Sequence, residues 1–422
     1  MPSQSTRASR QLTAARLFAV TALCLVPVST AGTNIACGLF AACLLLAPEF
    51  WRGLPLLPRH GASLAALLLL GALIISVSYT VAPHHEAWGW VGKYRKLLLL
   101  PLAVIAFKDS GWAPAVRYAL FGTLTLIVVL STSNYLGLTQ IGPAYLAHDP
   151  ETHAWVFKNR IAAGMFGVLL FYLAADMALR ARERRVQWAS AAVAALSLIN
   201  VLVMLQGRTG QVIALPFVLL VALRCIQGQR KRSPGRAMAM ASVLVVGAGV
   251  LLGIAFTMHG GRLLEVRDEV RQYEHSNAVT SSGLRLEFYR KSLLLIAQRP
   301  LAGFGAAGLG TEFEQMTRGK TEAAGQMTYN PHNEYLLMAV QLGAVGLLLF
   351  LNLLLQIARG AARLDGPSRH LLLAWLAIFT AGCLANSLLL DFAEGHMMML
   401  LGGILLGCGY RGAKSPAAPI PN

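Results

Sequence analysis

The chain has 422 residues, 56% of them apolar and only 13% charged, and its apolar residues come in blocks of about twenty, the length of a bilayer-spanning helix. That pattern excludes an ordinary soluble domain and gives the fold class: an all-α polytopic membrane protein. A formal charge of +17 would otherwise invite nucleic acid, but the cations cluster in short connectors between apolar blocks, as the positive-inside rule requires, so nucleic acid is set aside.

Arg7, Arg10 and Arg16 precede a short apolar segment in the manner of a signal peptide, but a second span follows at once, so the segment reads as an uncleaved helix. Predicted spans are 12–29, 33–48, 61–81, 91–107, 115–137, 161–179, 187–205, 211–226, 237–257, 333–357, 370–390 and 393–410. Twelve spans put both termini on one side; taking that side as cytoplasmic collects 21 of the 36 Lys and Arg residues there. The expected organisation is nine spans in 1–257, a periplasmic loop in 258–331, three spans in 332–410 and a cytoplasmic tail in 411–422.

Orientation rules do not explain cations on the outer face. Nine belong to the long loop, which is large enough to translocate regardless of charge, and six do not: Lys93, Arg95, Lys96, Lys158, Arg160 and Arg208. Snorkelling to headgroups, a local carboxylate or an anionic ligand would each account for them. Arg208 stands apart, because it lies in the glycine-flanked turn Gln206-Gly207-Arg208-Thr209-Gly210, and irregular backbone at bilayer depth is tolerated mainly where it lines a cavity.

In the loop, Gly260-Gly261 precede a stretch from Arg262 to Glu274 whose Leu263, Val266, Val270 and Tyr273 recur at helical spacing, predicting a helix on the membrane surface. Ser281-Ser282-Gly283 offers a cap for a second helix, 284–298, stopped by Pro300, with Leu286, Leu293 and Ile296 facing the bundle and Arg285 and Tyr289 one turn apart. A salt bridge from Arg285 to Glu287 or Asp268 is the structural alternative to a ligand contact. Gly303-Phe304-Gly305-Ala306-Ala307-Gly308 satisfies G-x-G-x-x-G, but it follows Arg299-Pro300 in a loop rather than a strand, so it reads as a close-packed turn, not a dinucleotide site.

The loop ends in Asn330-Pro331-His332-Asn333-Glu334-Tyr335-Leu336. Asn330 reads as an N-cap and Pro331 as the first helical residue, which puts His332 in the first turn, where the helix dipole disfavours imidazolium and leaves a neutral base. A merely polar cap on a membrane helix would need the same residues. Asp391, Glu394 and His396 crowd the start of the last span, either beside this site or simply as a polar helix start. The six cysteines all fall in apolar blocks without C-x-x-C spacing, and no D-x-D, H-E-x-x-H, His pair at i, i+4 or G-x-S-x-G is present. What remains is a base and outward-facing guanidiniums, which bind phosphate oxygens in bidentate fashion and suit group transfer from a lipid-linked phosphate.

These residues resemble a family. Q-G-R-T-G at 206–210, the arginine of S-G-L-R-L-E-F-Y at 282–289, R-P-L-A-G-F-G at 299–305 and P-H-N-E-Y-L at 331–336 are similar to the signature of bacterial O-antigen ligases, whose superfamily also holds O-antigen polymerases and protein O-oligosaccharyltransferases. The resemblance covers roughly 155–410. It implies a GT-C type glycosyltransferase of the bacterial inner membrane, without cofactor or metal, that moves O-antigen polysaccharide from undecaprenyl pyrophosphate to a sugar of lipid A-core on the periplasmic face with inversion. On this chain His332 would be the general base and Arg208 and Arg285 the pyrophosphate contacts, with Arg95, Lys158, Arg160, Tyr289, Asn333 and Tyr335 as expected substrate contacts. Relatives often have a serine beside the arginine where this chain has Gln206-Gly207. A transporter or flippase would use the same cations, but no internal repeat or pair of interrupted spans is evident in the sequence.

Overall fold

The computed structural model describes residues 9–229, 233–259 and 262–410, which are helical and without strands. Arg7, Gly260-Gly261, Arg230, Lys231, Arg232, the tail 411–422 and the side chain of Leu263 lie outside the described residues. In chain order the helices are α1 (Arg10–Leu25), α2 (Thr30–Leu45), α3 (Pro48–Gly53), α4 (Gly61–Ser76), α5 (His84–Lys93), α6 (Leu99–Phe107), α7 (Ala113–Tyr135), α8 (Arg160–Arg180), α9 (Arg184–Ile199), α10 (Arg208–Gln229), α11 (Pro234–His259), α12 (Arg262–Ser276), α13 (Ser281–Gln298), α14 (Gly308–Thr317), α15 (Glu334–Ala361), α16 (Gly366–Gly382) and α17 (Phe392–Gly409).

Each predicted span coincides with a helix, but their lengths differ. Among the described residues seven helices are long and apolar enough to cross a membrane, or up to eight if α2 and the segment Pro48–Arg59, bent by 81°, count as one. The predicted span 91–107 holds only the nine-residue α6 after a short 3-10 turn, Arg95–Leu98. The span 370–390 stops at Gly382, and 61–81 stops at Ser76. In both places the chain leaves the helix to meet another segment. Val81 N donates to Phe304 O (3.1 Å), while Leu389 N and Leu390 N donate to the Glu334 carboxylate (2.8 and 3.2 Å).

One long apolar run hides a break. Inside α15, Gly343 has φ 63° and ψ −154°, so the helix is interrupted. The turn 300–305 fills the gap. Phe304 N and Gly305 N donate to Val340 O (2.9 Å) and Gln341 O (2.8 Å), and Ala344 N donates to Pro300 O (2.7 Å). A Cβ on Gly343 would stand 2.2 Å from the Leu301 carbonyl carbon, and one on Gly303 (φ 67°) 2.4 Å from Val340 O, so both contacts and both conformations require glycine. The sequence reading of 303–308 as a close-packed turn matches this geometry.

Two ends emerge. At one, Asp176 gathers Arg180 (2.8 Å), Arg224 (2.6 Å) and His370 (3.2 Å), and Arg117 lies 3.5 Å from Asp365, all at or near helix ends expected to share a face. The long loop packs over the other end. There α12 lies on α13, where a Cβ on Gly283 would stand 2.7 Å from Tyr273 Cβ. Leu286 and Leu293, expected to face the bundle, are exposed; Phe288, Ser292 and Leu295 are buried instead. The inward face is rotated because the buried pair Glu287–Lys291 (3.5 Å) also points inward, with Lys291 Nζ donating to Ala324 O (2.7 Å).

Candidate active site

Close helix packing sets two of the cations side by side. Gly210 of α10 and Gly164 of α8 touch backbone to backbone, since a Cβ on Gly210 would lie 2.9 Å from Gly164 Cα, and one on Gly207 2.7 Å from Arg160 O. Side chains at this crossing would part the helices. Arg160 and Arg208, the first residues of the two helices, therefore emerge together at the outer end.

Thr280 caps α13, its Oγ1 accepting from Gly283 N at 3.1 Å, one position before the predicted serine cap. That start aims Arg285 toward the same place. Burial lowers the Arg285 pKa, and the positive charges of Arg208 and Arg160 add to the effect, but a guanidinium remains charged. Among the described residues no carboxylate forms an ion pair with Arg285: Glu287 is committed to Lys291 and to the Tyr273 hydroxyl.

Arg208 is not free. Its fork grips Glu269 of α12 with both terminal nitrogens (Nη1–Oε2 3.1 Å, Nη2–Oε1 2.8 Å), and Nη2 also reaches Glu265 (3.1 Å). The hydrogen bond from Arg208, assisted by Ser282, holds the Glu269 carboxyl at about 2. A bidentate carboxylate occupies the guanidinium geometry that a phosphate would use.

His332 sits next to these arginines, but not in a first helical turn. Asn333, not Asn330, is the N-cap of α15, its Oδ1 accepting from Leu336 N (3.1 Å), while Asn330 Oδ1 accepts from His332 N (2.8 Å) and from Ser387 Oγ (2.7 Å). His332 takes a left-handed φ of 55° between them. An Asx turn followed by an Asx cap wins over the proline-first start because each asparagine satisfies a backbone donor. The Tyr289 hydroxyl lies 3.1 Å from His332 O and 2.7 Å from Leu384 O, and the Phe288 ring stacks beneath the imidazole (6.3 Å between centroids). Burial, and then the charge of Arg285, lower the His332 pKa below its ordinary value. The result is a neutral imidazole near Arg285, which itself lies within electrostatic reach of Arg208 and Arg160.

The other expected contacts fall differently. Asn333 Nδ2 donates to Leu384 O (3.0 Å) and the Tyr335 hydroxyl to Thr380 O (2.9 Å), so both side chains tie α15 to its neighbours. Arg95 reaches Asn34 (3.4 Å), and Lys158 reaches Thr30 (3.1 Å) and stands over the Phe392 ring (5.8 Å). These two belong to a second polar group at the start of α17, which includes Lys96, with Nζ donating to Asp391 O (2.6 Å) and Leu390 O (2.9 Å), and the buried Glu394 and His396. Lys158 also borders a narrow apolar slot lined by Pro27, Leu124, Val128, Phe166 and Leu205. Glu265 and Glu269 were not singled out from sequence, although their i, i+4 spacing with Tyr273 marks one acidic stripe facing the outer arginines. Nor was the fully buried Glu334, a carboxylate opening an apolar run.

Residues 192–351 match the family model for O-antigen ligase. This stretch is similar to O-antigen ligases. The match is consistent with a member of the O-antigen ligase and polymerase superfamily. The matched stretch contains Arg208, Arg285 and His332 and leaves out Arg95, Lys158 and Arg160, so it is narrower than the expected 155–410. No curated protein matches the chain.

Proposed function

We propose that the protein is an O-antigen ligase of the GT-C type. It takes undecaprenyl-pyrophosphate-linked O-antigen as donor and a sugar hydroxyl of lipid A-core as acceptor, at the periplasmic face of the bacterial inner membrane. The observation that carries this reading is the convergence of Arg160, Arg208 and Arg285, from three separate helices, with Arg285 in turn near the imidazole of His332. Among the described residues Arg208 is paired with Glu269 and Glu265 and Arg160 with Glu151 (3.4 Å), which leaves Arg285 as the buried guanidinium without a carboxylate and open to an anion.

His332 removes the proton of the acceptor hydroxyl as its oxygen attacks the anomeric carbon from the face opposite the pyrophosphate. The bond from that carbon to the pyrophosphate oxygen breaks, and the charge that builds on the leaving group falls to Arg285 and Arg208. Tyr289 and Asn330 fix the backbone on either side of His332 and so orient the base. Donor oxygens take the place of Glu269 on the Arg208 fork. In this reading the guanidiniums, rather than a metal, meet the charge that builds on the leaving group.

A labelled-donor transfer assay with purified components tests this. His332→Ala is expected to cut transfer by about 10²–10⁴-fold, the usual contribution of a general base, while donor binding survives. A normal rate in that variant would remove the base. A polymerase would use the same donor with a second lipid-linked glycan as acceptor. In a deletion strain, loss of all core-linked O-chains with accumulation of lipid-linked polymer identifies ligation, whereas single-unit caps on the core identify polymerisation.

One observation favours a second reading, a transporter of lipid-linked anions: α15 is interrupted, and discontinuous helices mark transporter binding sites. In such sites the freed backbone groups face the substrate. Here the turn 300–305 already satisfies them, which favours the enzyme.

A further inference from the structure

The end of the bundle opposite His332 carries a hollow of about 360 Å³ between α4, α15 and α17. Its rim holds Arg59, Arg359 and Arg363, with His60 and Tyr410 beside them and Leu364 and Leu406 among its lining. We propose that this hollow binds a phosphate group, that of an anionic phospholipid headgroup or of a free phosphate. It would be a second anion site, apart from the one beside His332.

The positive-inside rule accounts for arginines at this end, but not for three of them around one concavity. Their neighbours behave differently. Arg117 is paired with Asp365, and Arg180 and Arg224 with Asp176, whereas among the described residues the guanidiniums of Arg59, Arg359 and Arg363 have no carboxylate partner and no hydrogen-bond acceptor. Forks left open on a shared hollow are the donor set for a phosphate, and basic pockets between membrane helices take phospholipid headgroups. The volume falls in the range of small-ligand sites.

The frame is fixed rather than incidental. A Cβ on Gly61 would lie 2.5 Å from Gln356 Oε1, one on Gly360 2.6 Å from Leu406 Cδ2, and one on Gly409 2.1 Å from Leu364 Cδ2, so the three helices meet closely around the opening. His60 is held as the cap of α4, its Nδ1 accepting from Ser63 N (3.2 Å), and its ring meets the Tyr410 ring edge-on at 5.9 Å.

The test compares wild type with the triple variant R59Q/R359Q/R363Q. A second triple variant, R182Q/R184Q/R185Q, removes the same charge from exposed positions in the α8–α9 connector and at the start of α9. Each protein is delipidated and reconstituted into phosphatidylcholine nanodiscs doped with phosphatidylglycerol or cardiolipin, and bound anionic lipid is counted by native mass spectrometry. In a parallel arm, inorganic phosphate is titrated into the detergent-solubilised proteins and Tm is followed.

Anionic lipid retention that falls at least ten-fold in the rim variant, and less than two-fold in the connector variant, identifies a headgroup site. A phosphate-dependent rise in Tm that only the rim variant loses, without a difference in lipid retention, identifies a free phosphate. Equal behaviour of the two triple variants in both arms overturns the proposal. The single variants R359Q and R363Q keep the comparison open should the triple variant fold poorly, since each is expected to show a graded part of the same loss.

Discussion

At the scale of single residues, the chemistry depends on His332 being unprotonated. Its pKa is lowered, first by burial and then by Arg285, so the neutral form that can accept a proton persists as pH falls below the ordinary value of 6.5. Transfer should therefore be lost only at pH values below that ordinary value, and Arg285→Gln, which removes one of the two causes, should move this acid limb upward. A pH–rate profile of wild type and R285Q checks both; an unmoved limb in the variant would separate the base from the arginine. The importance of His332 was legible in the sequence, because a proline–histidine–asparagine run at the end of a polar loop has few other uses. Its backbone position was not. Asn330 and Asn333 are equally good caps on paper, and only the contacts of Asn330 with Ser387 and of Asn333 with Leu384 decide between them.

At the scale of elements, α12 acts on Arg208 through one side chain. Glu269 holds both terminal nitrogens of the arginine, and the donor must displace it, so the ligand-free geometry competes with binding. Glu269→Gln is expected to tighten donor binding several-fold while lowering Tm, because it removes the charge of the competitor and of the ion pair together. Arg208→Lys should bind donor poorly whichever residue stands at 269, since an ammonium cannot make the fork contact. Donor titrations of E269Q, R208K and the double variant check this; weaker binding in E269Q would make the carboxylate part of the site instead of its competitor. The helices of the loop were legible because 262–274 and 284–298 carry helical spacing and a proline stop. The pairing of Glu269 with Arg208 was not, since it joins residues 61 apart. The break in α15 was hidden for a different reason. Leu342-Gly343-Ala344 is as apolar as its surroundings, and the cause of the break lies in the turn at 300–305.

At the scale of the whole molecule, the two anion sites divide along α15, which runs from Glu334 beside His332 to Ala361 beside the arginine-rimmed hollow. As one straight helix its twenty-eight residues would cover roughly 40 Å, and the break at Gly343 makes that an upper bound, against a hydrocarbon thickness of about 30 Å. The proposed chemistry requires the His332 end to be periplasmic, and the count of cations puts more of them at the other end. Single cysteines in a cysteine-free background read this out: Arg318→Cys in the long loop and Arg185→Cys at the start of α9, both at exposed positions. A membrane-impermeant maleimide applied to cells with a permeabilised outer membrane should label R318C at once and R185C only after lysis. The reverse pattern would put the imidazole and the three guanidiniums in the cytoplasm, away from any periplasmic acceptor. Labelling of both from outside would mean that the ends of the bundle share one face, and the separation of the two sites would fall with it.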